Sequence, residues 1–219
     1  MQKYKNLTII GTSHISIESI NEVKDTIKAL KPEIIALELD KPRLSSLLNN
    51  KKGHISIKKI GFKPYIINQL GAWIEKKLGR IVGVSPGQEM KEAIKLAKKN
   101  KIKIALIDQD IRKTLNNITT KLPLNEKLRF IGDLIRSFFI KSGIKIDLRK
   151  VPPKSLIKNV LKEFKERYPS LYKILIDDRN KIMAKNLYTL LNTNKNETII
   201  AIIGAGHEHE IIEEIKKIK

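Results

Sequence analysis

NLTIIGTSHISIESINEVKDTIKALKPEIIALELD, residues 6–40, decides the fold. Asn6–Thr12 is a short β-rich run that ends in a Gly turn. The period then changes: Ile17, Ile20, Val23, Ile27 and Leu30 share one stripe of a helix over Ile15–Leu30. Pro32 closes that helix, and Glu33–Leu39 reads as a second strand. A strand–helix–strand unit calls for parallel strands and a right-handed crossover.

Working outward, Lys41–Asn49 reads as a short helix and Ile55–Ile60 as a small strand. Pro64–Leu78 is amphipathic, with Trp73 as a core anchor. Ser85-Pro86-Gly87 opens a helix that runs to about Lys99. Ile102–Ile107 is a third strand, ending in Asp108-Gln109-Asp110. Ile111 to Asn192 is almost wholly helical, and Leu122–Phe164 within it reads as an insertion beside the sheet, serving as lid, dimer interface or both. The last strand, Thr198–Ile203, runs into Gly204-Ala-Gly-His207 and a short terminal helix. With no internal repeat or linker, the expectation is one α/β domain over residues 1–219. Its central, mostly parallel sheet is flanked by helices, with the helical insertion before the last strand.

Composition narrows the functions. Cys is absent, which removes disulfides, thiolate ligands and a thiol nucleophile together. The opening residues carry no apolar signal segment, and no apolar stretch approaches a membrane span. The plain expectation is a cytoplasmic protein. Net charge is +21, from 36 Lys but only 8 Arg. Nucleic-acid recognition leans on Arg forks and stacking aromatics, and aromatics are only 5% here. A solvated basic surface therefore ranks ahead of a nucleic-acid groove, leaving a weak, salt-sensitive attraction to polyanions.

The polar residues collect at strand ends. Strand one ends at Gly11-Thr-Ser-His14, strand two at Glu38 beside Asp40 and Arg43. Strand three ends at Asp108 and Asp110, and the last at Gly204-x-x-His207. Parallel strands would gather these side chains at the carboxyl edge of one sheet, where open α/β folds bind ligands. Each has a plainer reading too. Ser13 or His14 could cap the following helix, His207 could be a turn residue, Glu38 could pair with Arg43, and Asp108 and Asp110 could be caps. His209 makes His-x-His with His207, but residues two apart on a helix diverge. Glu38 as metal ligand or general base is the functional alternative.

In order, Gly11-Thr-Ser-His14, Glu38-Leu-Asp-x-x-Arg43, Gly83-Val-Ser-Pro-Gly-x-Glu89-Met90, Leu106-Ile-Asp108-x-Asp110, Asp178-Arg179 and Gly204-Ala-Gly-His207 resemble the blocks of the TraB family of pheromone-shutdown proteins. The resemblance spans about Leu7 to His207. It implies kinship with Tiki-type metal-dependent proteases, erythromycin esterases and a haem-binding lipoprotein. By that resemblance His14, Glu38 and His207 would bind a divalent ion (Mn, Co or Zn) or activate water. Arg43 and Arg179 would meet a carboxylate or oxyanion, and Glu89 is a further catalytic candidate. Family members often carry membrane helices after this domain, and none is seen in this sequence.

Two departures stand out. Gln109 and Asn180 replace a cation and an anion usual in the family, and the expectation is that they share a hydrogen bond. Glu210 stands where a Gly is common, so the terminal loop is expected to be tighter or differently aimed. The function expected is a metal-dependent, peptidase-like hydrolase acting on a peptide signal, with homo-oligomers compatible. A non-catalytic peptide-sequestering module is the alternative, and a charge-driven nucleic-acid binder the third reading.

Overall fold

The computed structural model describes residues 1–13, 16–48, 87–139 and 151–218. Along the chain run β1 (Gln2–Tyr4), β2 (Leu7–Thr12), α1 (Ile17–Leu30), β3 (Ile34–Leu37) and α2 (Lys41–Leu48). Then come α3 (Gln88–Lys99), β4 (Lys103–Leu106), α4 (Ile111–Lys121) and α5 (Leu124–Phe139). α6 (Lys154–Arg167) and α7 (Pro169–Tyr172) lead through a π-helical turn, Lys173–Asp177, into α8 (Asp178–Thr193). β5 (Ile199–Gly204) and α9 (Glu208–Lys217) complete the order.

The sheet order is β1-β2-β5-β3-β4. β2, β5, β3 and β4 are mutually parallel, which bears out the α/β expectation. β1 is an addition: it pairs antiparallel with β2 through a tight turn in which Lys5 takes φ 52°. The strand at Ile55–Ile60 and the helix at Pro64–Leu78 lie outside the described residues.

Burial on both faces of the parallel strands explains their unbroken apolar runs. On β5, Ile199, Ala201 and Ile203 pack with Met183, Leu187 and Ile211 of α8 and α9. Ile200 and Ile202 face the other way, onto Val23, Ile27 and Met90 of α1 and α3. The period of two on the strands thus meets helical stripes on either side. The cap of α1 is Ser16, whose Oγ accepts from Ser19 N–H, and not Ser13, while His14 lies outside the described residues.

The helical region around the expected insertion has a cluster of its own. Ile118, Leu122, Tyr168, Leu171 and Ile174 form a separate small cluster. Glu126 of α5 accepts from the N–H groups of Ser170 and Leu171 at 3.1 and 3.2 Å, capping α7 from outside the helix.

Candidate active site

Register places the strand ends together. Thr12 pairs with Gly204 across β2–β5, and Leu37 pairs with Ile202 across β3–β5 and with Leu106 across β3–β4. Glu38 therefore leaves β3 one residue beyond its pairing, with its N–H bonded to the Ile202 carbonyl at 3.1 Å. The buried Glu38 side chain turns back to the central strand, where Oε2 accepts from Gly204 N–H at 2.5 Å. Its other oxygen, Oε1, is paired with Arg179 Nη2.

Arg179, in the first turn of α8, is where the site converges. Nε and Nη2 donate to the two oxygens of Asp108 at 3.2 and 2.6 Å. Nη1 donates to the Leu175 carbonyl at 3.3 Å and lies 3.2 Å from His207 Nε2. With the bond to Glu38, all five N–H donors of the fork have acceptors. Burial by itself would lower the guanidinium pKa, but the Glu38 and Asp108 carboxylates outweigh that and push it above its ordinary value. Arg179 is thus a permanent cation.

Arg43 stands on the solvent side of the same carboxylates. Its Nη2 donates to Asp108 Oδ2 at 2.6 Å, and its side chain is 30% exposed against 16% for Arg179. Its Nε is buried without a hydrogen-bond acceptor, 3.4 Å from Asp40 Oδ1. Asp40 caps α2 by accepting from Arg43 N–H at 2.7 Å and reaches Ile111 N–H of α4 at 2.5 Å. Among the described residues the cation on Glu38 is Arg179, and Arg43 reaches that pair through Asp108. Asp110 does cap α4, through Arg112 N–H at 2.9 Å, whereas Asp108 is committed to the two guanidinium groups.

His207, buried at the start of α9, completes the group. Nε2 lies 3.7 Å from Glu38 Oε1, and Nδ1 lies 2.6 Å from Asn180 Oδ1. Asn180 Nδ2 in turn donates to Glu210 Oε2 at 2.7 Å. His209 is exposed, as the spacing of two implied. Glu89 is buried in the first turn of α3, beside Met90 in the core layer of α1. His14 and Ile15 lie outside the described residues, so Gly11 speaks for the first Gly-x-x-His turn. A Cβ at Gly11 would displace the Glu208 carboxylate and stand 3.2 Å from Glu208 Cβ, so the glycine lets α9 close tightly on β2.

One expectation fails. Gln109 and Asn180 share no hydrogen bond: the Gln109 amide donates to Thr114 Oγ1 at 2.7 Å, and Asn180 serves His207 and Glu210. Glu210, accepted as only a loop-shaping departure by sequence, is instead the residue that orients Asn180. The role of Asn180 was missed because it sits inside a helical run, where an amide reads as surface.

The sequence model of the TraB/PrgY/gumN family matches residues 2–211. An uncharacterized protein of Methanocaldococcus jannaschii is 36% identical over 222 residues, covering 98% of this chain and 54% of that protein. TraB domain-containing proteins of Bos taurus and Homo sapiens are 26% and 25% identical, each over 78% of this chain and 49% of their own length. The chain thus spans about half the length of the curated relatives it matches. The near-complete match, together with strand-end carboxylates and His207 gathered at one sheet edge, makes this chain a member of the TraB/PrgY/gumN family.

Proposed function

We propose that this domain is a peptide-directed hydrolase whose centre lies between Glu38 and His207. The observation that carries it is the 3.7 Å separation of Glu38 Oε1 and His207 Nε2, two groups delivered by neighbouring parallel strands to a buried edge. Ligand atoms on one tetrahedral ion of the zinc class stand roughly 3.4 Å apart, so this imidazole–carboxylate pair has the spacing for a divalent cation, which would have to displace the Arg179 guanidinium that now contacts both atoms. Among the described residues no group of three His, Asp or Glu side chains forms a complete set. The residues that would hold the ion are His14, Glu38 and His207. Such an ion lowers the pKa of bound water and polarises a carbonyl.

The chain's own residues divide the remaining work. Where Glu38 serves as the base instead of a ligand, its Oε1, the carboxylate oxygen beside His207 Nε2, is the acceptor for a proton leaving water at that point. Arg179, its donors all engaged, positions Glu38, Asp108 and His207 instead of meeting substrate. Arg43, the more exposed of the two guanidinium groups, is the cation that faces a substrate carboxylate or developing oxyanion. Glu89 is kept as a further candidate because it is buried at a helix N-terminus.

The test is cleavage of a mixed peptide library, followed by mass spectrometry, with Mn, Co or Zn supplied. Glu38→Gln and His207→Ala should each lower turnover by about 10²- to 10⁴-fold. Turnover unchanged in His207→Ala would sink the assignment. The partly exposed Arg43 also favours a second reading, capture of a peptide carboxylate without cleavage. Peptide binding that needs no metal and is lost in Arg43→Met, with no cleavage under any metal, would select that reading.

A further inference from the structure

We infer that Asn180 and Glu210 are positioning residues that hold His207 as its Nδ1–H tautomer and leave the Nε2 lone pair facing Arg179 Nη1, beside Glu38. The hydrogen bonds converge on Glu210. Tyr172 Oη donates to Glu210 Oε1 at 3.0 Å, and Asn180 Nδ2 donates to Glu210 Oε2 at 2.7 Å. A carboxylate only accepts, so Asn180 must show Glu210 its NH₂ group. That turns the amide oxygen to His207 Nδ1, 2.6 Å away. An amide oxygen also only accepts, so Nδ1 carries the proton.

The opposite side of the ring gives the same answer independently. His207 Nε2 faces Arg179 Nη1 at 3.2 Å, and a guanidinium only donates. Nε2 must therefore present a lone pair. Water cannot readily compete for these bonds, since Asn180 is 1% exposed and His207 5%. Burial, then the neighbouring Glu210 charge, push the Tyr172 phenol pKa up, so Tyr172 remains an O–H donor. The arrangement is the one in which a second hydrogen bond fixes which imidazole nitrogen is left to act.

This inference deepens the reading of His207 as a site residue, and it is tested without substrate or metal. Long-range ¹H–¹⁵N correlation on metal-free protein reads the tautomer, and His207→Gln identifies the signals among four histidines. In the wild type, Nδ1 should appear protonated and Nε2 unprotonated. Asn180→Leu removes the acceptor and should abolish that preference. Asn180→Asp combined with Glu210→Gln restores an acceptor toward Nδ1 and should preserve it. A protonated Nε2 in the wild type, or loss of the preference in the double variant, would overturn the proposal even if Asn180→Leu failed to fold. Failure of peptide cleavage alone would leave the tautomer result standing, so the two readings fail separately.

Discussion

At Arg179, five donors meet five acceptors contributed by β3, β4, the π-helical turn and the start of α9. Removing the guanidinium would leave Glu38 and Asp108 buried without their shared cation. Arg179→Met should therefore destabilise the fold by about 3–5 kcal/mol, the range for breaking a buried ion pair from one side. Arg43→Met should cost clearly less, because Arg43 is partly exposed and Asp108 keeps Arg179. Denaturant unfolding of the two variants checks the ranking, and equal losses would contradict a hub at Arg179. Glu38, Arg43 and His207 were legible in sequence because each closes or follows an apolar run. Arg179 was named only through the resemblance, and nothing local marked it as the centre, since it lies 141 residues from Glu38 and 71 from Asp108. No local pattern reports a contact of that range.

The elements themselves were read to different depths. Ile199–Gly204 and Ile34–Leu37 announced buried parallel strands, because both faces are covered and no polar alternation interrupts them. β1 was missed: Gln2-Lys-Tyr4 is too short and polar to signal a strand, and its pairing depends on the hairpin turn at Lys5. The π-helical turn has no sequence signature either, though it changes the helical phase just before Arg179. In the insertion, Asp133 of α5 accepts from Arg167 at 2.5 and 2.6 Å and from the Tyr168 hydroxyl. Arg167 first and Tyr168 second hold the Asp133 pKa down, at about 2. A folded pKa below the unfolded value stabilises above the unfolded pKa, here the ordinary 3.8, and that support is lost as pH falls toward about 2. Because the group is exposed, the effect should be local. Hydrogen exchange should show α5 opening faster in Asp133→Asn while β5 amides stay protected, and a variant that loosens both alike would refute a local clasp.

Over the whole molecule the charge of +21 coexists with a site whose buried charges nearly cancel. Glu38, Asp40 and Asp108 face Arg43 and Arg179, so the centre does not supply the positive field. That field comes from the many lysines outside it, and it acts through solvent, where salt screens it. Under the proposed function, anionic peptides should be drawn to the surface before they meet Arg43, while neutral peptides gain nothing from the field. Raising ionic strength from about 0.01 M to about 1 M shortens the screening length from about 30 to about 3 Å. The Kd of a peptide carrying several carboxylates should rise steeply across that range, and that of an uncharged analogue should stay nearly flat. Isothermal titration of the two peptides measures the difference. Parallel, shallow curves would mean that Arg43 and its neighbours capture the peptide unaided, and that the lysine surface plays no part in recognition.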